Sequence, residues 1–459
     1  MPHMSRRRWI AALALGGALA AAGWGLSRAI QRGPRPEAQA LHDAVQQLTS
    51  VIVYDIFSPP QASRVYAYAS VAAYETLRQG DSAFLTLAGQ VNGLAPVPPP
   101  PADSVSLPLA GVHAFMTVGW TLTFSRERMD SLRTAMDERF RRDLPAPVYQ
   151  RSIAYGELVA KHVLGWASAD GFTRSRGMPK YTVVNEPGLW VPTPPAYMDA
   201  VEPNWPTLRT FAIDSAGQFR GPPPHPFDTA RTSPFMREVV EVYETRRGLT
   251  EEQRAIAAFW DCNPYVMNVQ GHTMFATKKI SPGGHWMGIV GIAARQASLD
   301  LTESAEVYAR TAIVLADGFI VAWEEKFRSR LVRPETVINA YLDESWTPLL
   351  QTPPFPEYPS GHSVISTAAA TVLTQLLGAG FAFEDSTELA FGFPPRRFES
   401  FEQAAAEAAM SRLYGGIHFR RAIEEGASQG RALGTQHARR ITTRAGERAA
   451  RPAIASSVE

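Results

Sequence analysis

Apolar residues recur at intervals of three and four along most of the chain, which is the spacing of one face of an α-helix. The clearest N-terminal run covers residues 61–80, where alanine, valine and tyrosine repeat at this spacing. Similar patterns over 37–50, 108–142 and 147–170 predict further helices. No stretch alternates with period two for long. The pattern therefore predicts an all-α protein.

Two segments interrupt the helical pattern. Consecutive prolines within 96–101 exclude a helix there, because proline lacks the backbone donor that a helix needs. Residues 186–236 combine many prolines and tryptophans without any period. We expect this second segment to form a long ordered loop whose aromatic side chains are buried.

The C-terminal half returns to helical spacing. Thr250 and Gln253 have the separation of a capping box, which predicts that a helix begins there. A second helix is expected from about Thr302, and another from His362 to Leu377. Two more are predicted in the remaining chain, over the ranges 399–413 and 417–440.

Composition narrows the function classes. The 459 residues contain 45 Lys and Arg against 44 Asp and Glu, a formal net charge of +1. This balance argues against nucleic acid as a partner, because such proteins concentrate positive charge. The single cysteine, Cys262, excludes an intramolecular disulfide and a cluster of cysteine metal ligands.

The N-terminus has the order of an export signal. Residues 5–9 are rich in arginine, 10–26 are apolar, and 18–20 offer small residues for cleavage. We therefore predict a signal peptide at 1–30 and a periplasmic or extracellular protein. The arginine pair resembles a twin-arginine signal, with a plain secretory signal or an uncleaved membrane anchor as alternatives. Membrane contact is expected only through this segment.

Three C-terminal segments collect cationic and small polar residues, in the order Lys326–Arg333, Ser360–His362 and Arg412–His418. Lysine and arginine supply positive charge, and the planar guanidinium group matches tetrahedral oxyanions. The second segment begins a predicted helix, where backbone N–H groups favour an anion. The histidines can transfer protons or bond to the central atom. Together the segments predict an oxyanion site.

These segments resemble the signature of the type 2 phosphatidic acid phosphatase superfamily, which includes the vanadium-dependent haloperoxidases. Trp323, one turn before Lys326, and Phe355 resemble the aromatic residues beside the halide site of the haloperoxidase branch. This pair is more similar to that of chloroperoxidases than to that of bromoperoxidases. The resemblance implies helical bundles as the fold, in two stacked halves.

The resemblance also implies roles for the site residues. His418 would be the axial vanadate ligand, and His362 the acid–base group. The residues that neutralise and hydrogen-bond the equatorial oxygens would be Lys326, Arg333, Ser360, Gly361 and Arg412. Hydrogen peroxide would then oxidise halide to hypohalous acid, with a small organic molecule as a further acceptor. Phosphate is expected to occupy the same site.

Two positions depart from the family pattern. Ala422 stands four residues after His418, where relatives carry an acid that activates the histidine. The carboxylate partner of His362 is replaced by Asn263, with Asp261 as a substitute nearby. Two alternatives to peroxidase chemistry therefore remain. One is a phosphomonoesterase with His418 as nucleophile, and the other is a non-catalytic oxyanion-binding relative.

The motifs also suggest a division of the chain. We expect residues 36–236 to form an N-terminal helical region with its long loop. Residues 237–445 would form the C-terminal helical bundle that carries the oxyanion site. His272 and His285 are candidates for the pocket entrance, whereas Asp317 is expected to be structural, paired with a buried arginine.

Overall fold

The computed structural model describes residues 36–446, so the predicted signal peptide at 1–30 lies outside the described residues. The described chain is mostly helical, which confirms the all-α prediction. The helices of the first half are α1 (Pro36–Tyr54), α2 (Pro59–Leu77), α3 (Leu107–Leu122), α4 (Glu127–Asp143), α5 (Ala146–Ser168) and the short α6 (Phe172–Arg176). Within these residues, no helix combines the length and apolarity needed to cross a bilayer.

The second half is also built from helices. They are α7 (Pro234–Arg247), α8 (Glu251–Phe259), α9 (Pro282–Gln296), α10 (Leu301–Ser329), α11 (Pro334–Tyr341), α12 (Gly361–Leu377), α13 (Phe401–Tyr414) and α14 (Arg420–Arg440). The predicted capping box is present, because Thr250 and Gln253 each accept a hydrogen bond from the other's backbone N–H. The range 108–142, predicted as helical throughout, is divided between α3 and α4.

Helix α10 connects the two halves. It is 29 residues long and packs against α2 on one side and α12 on the other. Its apolar residues are buried along almost the whole length, so it has no solvent-facing stripe. Lys326 lies at its C-terminal end and is itself fully buried. Helix α10 therefore places the side chain of Lys326 in the protein interior.

Glycines let α14 approach α12 closely. Gly426, Gly430 and Gly434 recur every fourth residue on α14. A methyl group at Gly430 would lie within 3.0 Å of the backbone of Val364, and one at Gly426 would lie 2.8 Å from the Ser360 carbonyl oxygen. Such distances exclude any side chain unless the helices separate. The N-terminus of α12 is therefore held directly against α14.

Short strands are a feature that the sequence analysis did not predict. Strands β1 (Val266–Gln270) and β2 (Thr273–Thr277) form an antiparallel hairpin, and β3 (Phe383–Asp385) pairs with β4 (Arg396–Phe398). The β1–β2 hairpin is largely exposed, so neither of its faces requires an alternating apolar pattern.

The proline-rich segment 186–236 packs over α10, mostly without regular structure. Trp190 and Trp205 are buried as predicted, whereas Tyr197 is exposed. Two consecutive backbone N–H groups of the segment donate to the buried Asp317 carboxylate, which also accepts from His437 Nε2 at 2.9 Å. Asp317 is therefore structural, but its partners are the loop backbone and a histidine rather than an arginine.

Candidate active site

The three predicted segments converge because each lies at a helix end. Arg333 is the N-cap residue of α11, and Ser360 is the N-cap residue of α12, where its hydroxyl accepts from the backbone of Ser363. Arg412 lies in the last turn of α13, and His418 lies in the short link from α13 to α14. Helix ends leave backbone polar groups free for a ligand, which favours such positions for a site.

These ends enclose a small cavity of about 30 Å³. Its wall includes the side chains of both predicted histidines, and the backbone of α12 begins there at Gly361. The predicted site residues that line the cavity are Asn263, Trp323, Phe355, Gly361, His362, Arg412 and His418. Other parts of the wall come from Pro59, Cys262, Pro264, Tyr265, Pro282, Phe319, Pro353 and Ile417.

Three further predicted residues, Lys326, Arg333 and Ser360, do not line the cavity and are fully buried. Lys326 Nζ donates to the backbone carbonyls of residues 356, 357 and 359. Arg333 also donates to backbone carbonyls, and its Nη1 lies 3.3 Å from His418 Nε2. Burial lowers the pKa of Lys326 well below its usual value, and the neighbouring Arg333 lowers it further. The site thus concentrates positive charge that a bound anion would stabilise.

His418 has a carboxylate partner that the sequence analysis did not identify. Its Nδ1 lies 2.8 Å from Glu357 Oε1, which also accepts from the backbone N–H of Phe419 at 2.9 Å. Burial raises the pKa of Glu357 to about 8, although Arg333 and Lys326 oppose this shift. Burial lowers the pKa of His418 well below its usual value, and Arg333 adds to the effect. His418 is therefore neutral, and a neutral imidazole can coordinate through Nε2.

His362 lacks the carboxylate partner that the family pattern would give it. Its ring forms a hydrogen bond with the Trp260 backbone. Its buried Nε2 has no hydrogen-bond partner in the described structure. Asn263 accepts from the backbone N–H of Tyr265, and Asp261 is paired with Lys279. Neither residue therefore takes the place of the carboxylate partner of His362. Burial lowers the pKa of His362 well below its usual value, and Arg412 lowers it further.

Trp323 and Phe355 form one aromatic side of the cavity. Their ring centroids are 4.9 Å apart. Lys326 Nζ lies 5.2 Å from the centre of the Phe355 ring, and the Arg333 guanidinium carbon lies 5.1 Å from it. The indole N–H of Trp323 donates to the Val201 carbonyl at 3.0 Å, which fixes that ring. The two aromatics shield the buried cations from water and leave a weakly hydrated surface.

Comparison with solved structures identifies the family. The chain is similar to the crystal structure of the first bacterial vanadium-dependent iodoperoxidase, with 46% sequence identity and a TM-score of 0.84. The alignment covers 88% of this chain and 97% of the relative. The chain belongs to the vanadium-dependent haloperoxidase family. This confirms the resemblance inferred from the three sequence segments.

More distant haloperoxidases share the fold. The holo-type bacterial vanadium-dependent chloroperoxidase is 18% identical, with a TM-score of 0.64, and the alignment covers 84% of this chain and 93% of the relative. The apo-type structure is 17% identical, with a TM-score of 0.62 and coverage of 82% and 92%. A family model described as the VCPO second helical-bundle domain matches residues 306–446 of this haloperoxidase. Comparison with curated proteins found no match.

The residues of the cavity fit a vanadate group. His418 is neutral and is held through Nδ1 by Glu357. Its Nε2, now 3.3 Å from Arg333 Nη1, is the nitrogen that would coordinate vanadium once the guanidinium turns to a vanadate oxygen. His362 presents a buried Nε2 that has no protein partner. Lys326, Arg333 and Arg412 are buried around these rings and supply positive charge. An oxyanion would supply the missing acceptors and negative charge.

Proposed function

We propose that this enzyme is a vanadate-dependent haloperoxidase that oxidises iodide with hydrogen peroxide. The observation that carries the proposal is the placement of two histidines on one cavity. One is held by Glu357, and the other has an Nε2 without a partner among the described residues. Similarity to a structure described as an iodoperoxidase supports iodide as the halide. Vanadate, when bound, would activate peroxide toward two-electron oxidation of the halide.

The chain's own residues would act in separate roles. His418 would hold the vanadium through Nε2, with Glu357 fixing the orientation of its ring. His362 would accept a proton from the incoming peroxide at Nε2 and return it to the leaving oxygen. Arg412, which lines the cavity, would donate hydrogen bonds to vanadate oxygens. Lys326 and Arg333 would attract the anions from behind the wall.

The size of the cavity indicates where an organic acceptor would react. A volume of about 30 Å³ has room for about two or three waters, which is little space for an organic acceptor beside the halide and peroxide. We therefore propose that halide and peroxide react inside, and that an organic acceptor is halogenated by hypohalous acid after release.

A phosphomonoesterase reaction is a second candidate, favoured by the contact between His418 and Glu357. A carboxylate on the far nitrogen of a nucleophilic histidine orients and activates it, as in other triads. In this reaction His418 Nε2 would attack phosphorus, and His362 would protonate the leaving alcohol. Phosphate would then bind in the place of vanadate.

One phosphate-free preparation, divided in two, tests both candidates. The first half receives orthovanadate, hydrogen peroxide, a halogenation-sensitive dye and iodide, bromide or chloride in turn. The second half receives a chromogenic phosphomonoester without vanadate. Vanadate-dependent halogenation that is fastest with iodide and suppressed by phosphate is the expected result. Ester hydrolysis without halogenation would replace the proposal with the phosphatase reaction. Inactivity of both halves would favour an oxyanion-binding relative.

We also propose that the enzyme is exported, on the strength of the arginine-rich and apolar residues at 1–30. A reporter protein fused behind residues 1–35 should leave the cytoplasm. Replacing Arg6 and Arg7 by lysine should stop export if the twin-arginine route is used and leave it unchanged if the general secretory route is used.

A further inference from the structure

A second buried cluster of ligand-type side chains lies behind the active-site cavity. Cys262, the only cysteine of the chain, lines the cavity, and its sulfur lies 3.4 Å from His285 Nδ1. The same nitrogen lies 3.1 Å from Glu388 Oε1, and that oxygen lies 3.9 Å from the sulfur. All three side chains are at least 95% buried. None of them has a role in the proposed peroxidase reaction.

The separations match those of ligands around one metal ion. Zinc binds thiolate sulfur at about 2.3 Å and imidazole nitrogen or carboxylate oxygen at about 2.0–2.2 Å. Ligand atoms at tetrahedral angles around such an ion are therefore about 3.3–3.6 Å apart. Of the three observed separations, 3.4 Å lies within this range, 3.1 Å is shorter and 3.9 Å is longer. Shifts of a few tenths of an ångström would bring all three atoms to bonding distance.

The histidine also has the outer support that metal-binding histidines have. His285 Nε2 lies 2.7 Å from Asp385 Oδ2, and the other oxygen of Asp385 accepts from the backbone N–H of Thr387 at 3.0 Å. The Trp260 ring stacks on the imidazole with a centroid distance of 4.5 Å. A carboxylate on the far nitrogen fixes the ring and increases its basicity toward a metal.

We propose that Cys262, His285 and Glu388 bind a divalent cation of the zinc class, with water as the fourth ligand on the cavity side. The mixed sulfur, nitrogen and oxygen set suits a borderline-soft ion better than magnesium or calcium, which prefer oxygen ligands alone. Binding would replace the thiol proton and any proton on His285 Nδ1, and these protons would be released to solvent. The ion would join the end of α8, helix α9 and the segment after β3.

Cobalt provides a specific probe, because Cys262 is the only source of a thiolate-to-metal charge-transfer band. The full-length enzyme, treated with a chelator and dialysed, is titrated with Co²⁺ and separately with Zn²⁺, followed by elemental analysis. We expect one Zn²⁺ per chain and a near-ultraviolet Co²⁺ band that Zn²⁺ abolishes. Cys262→Ser should remove the band. Glu388→Gln and Asp385→Asn should each weaken metal affinity by about 10–100-fold.

Two control variants exclude other histidines. His418→Ala removes the proposed vanadium ligand, and His272→Ala removes an exposed imidazole on the β1–β2 turn. Both variants should keep the band and the stoichiometry. The proposal is overturned if the wild type binds no stoichiometric metal, or if the band persists in Cys262→Ser. Loss of the band in either control would also overturn it. Because no readout requires vanadate or peroxide, the result does not depend on the peroxidase proposal.

Discussion

Glu357 Oε1 lies 2.8 Å from His418 Nδ1, although the two residues are 61 positions apart in sequence. The acid expected four residues after the histidine is absent, because Ala422 occupies that position in an apolar cluster. The carboxylate therefore reaches the histidine from the segment before α12 instead of from the start of α14. His418 therefore has a carboxylate partner, although not at the position that the family pattern predicts.

Removing the carboxyl group of Glu357 that holds His418 should weaken vanadate binding. Loss of an outer partner of a metal-binding histidine typically costs about 10–100-fold in affinity or activity. We expect Glu357→Gln to lie near the lower end of this range and Glu357→Ala near the upper end. The dissociation constant for vanadate, obtained by reactivating metal-free enzyme, measures the effect.

Glu306→Gln is the matched control for this prediction. Glu306 is equally buried, but it binds Thr443 and Arg444 rather than a site histidine. Its substitution should lower stability and leave vanadate affinity unchanged. Equal losses of affinity in the two glutamine variants would show that Glu357 has no specific role.

The two site histidines should separate binding from turnover. His418→Ala removes the proposed vanadium ligand and should abolish both. His362→Ala should retain vanadate binding and lose turnover by about 10²–10⁴-fold, the usual contribution of a general acid–base group. Equilibrium dialysis with vanadate, beside steady-state iodide oxidation, measures the two properties. Full activity in both variants would refute the assignment of this cavity as the active site.

His42 should make stability depend on pH. Burial, together with the charge of Arg295, lowers its pKa from 6.5 to about 4, and its Nδ1 lies 2.9 Å from the Tyr308 hydroxyl. Between these pH values the unfolded chain binds the proton more tightly, so the free energy of unfolding falls as pH decreases from 6.5 toward 4. The difference of about 2.5 between the two pKa values corresponds to a loss of ~3 kcal/mol in the free energy of unfolding across this pH range.

The variant His42→Phe isolates this contribution. It should be less stable than the wild type near pH 7, because the Tyr308 hydroxyl loses its partner. The difference in free energy of unfolding between the wild type and this variant should then become smaller as the pH approaches 4. Chemical denaturation at several pH values measures it, and parallel curves for the two proteins would contradict the prediction.

The close approach of α14 to α12 should make Gly430 intolerant of a methyl group. Overpacking costs ~1–3 kcal/mol, while replacing a helical glycine by alanine returns ~1 kcal/mol of helix propensity. We expect Gly430→Ala to lower the free energy of unfolding and, because α12 carries Ser360 to His362, to weaken vanadate binding. Gly165→Ala on α5 is the control, since open space surrounds that position. Gly165→Ala should leave the free energy of unfolding unchanged or raise it.

Local sequence patterns predicted most of the helices and the motif because both are encoded at short range. Helices α6, α7, α9 and α11 were not predicted. Helical spacing and capping signals located most helix ends within a few residues, as at Thr250. The two histidines were recognised because their segments have fixed internal spacing. Glu357 was missed because its partner is distant in sequence, and no local pattern records that contact. The absence of an acid at Ala422 was the one available signal that another carboxylate was needed.

The cluster around His285 illustrates the same limit. Its partners Cys262, Asp385 and Glu388 come from three separate segments, so their proximity depends on the tertiary fold alone. The histidine was expected at the pocket entrance, whereas it is fully buried behind the cavity wall. The hairpin of β1 and β2 was missed for a different reason, since its exposed strands impose no alternation of apolar and polar residues.

The glycine contacts between α12 and α14 also bear on laboratory evolution of this enzyme. Library positions along this helix pair would yield mostly unfolded variants, because the backbones leave no room for new atoms. Another part of the cavity wall, at residues 263–265, leads into the exposed β1–β2 hairpin. Substitutions and insertions in the hairpin itself meet solvent rather than a packed helix. Screening effort for altered halide preference is therefore better concentrated on that loop.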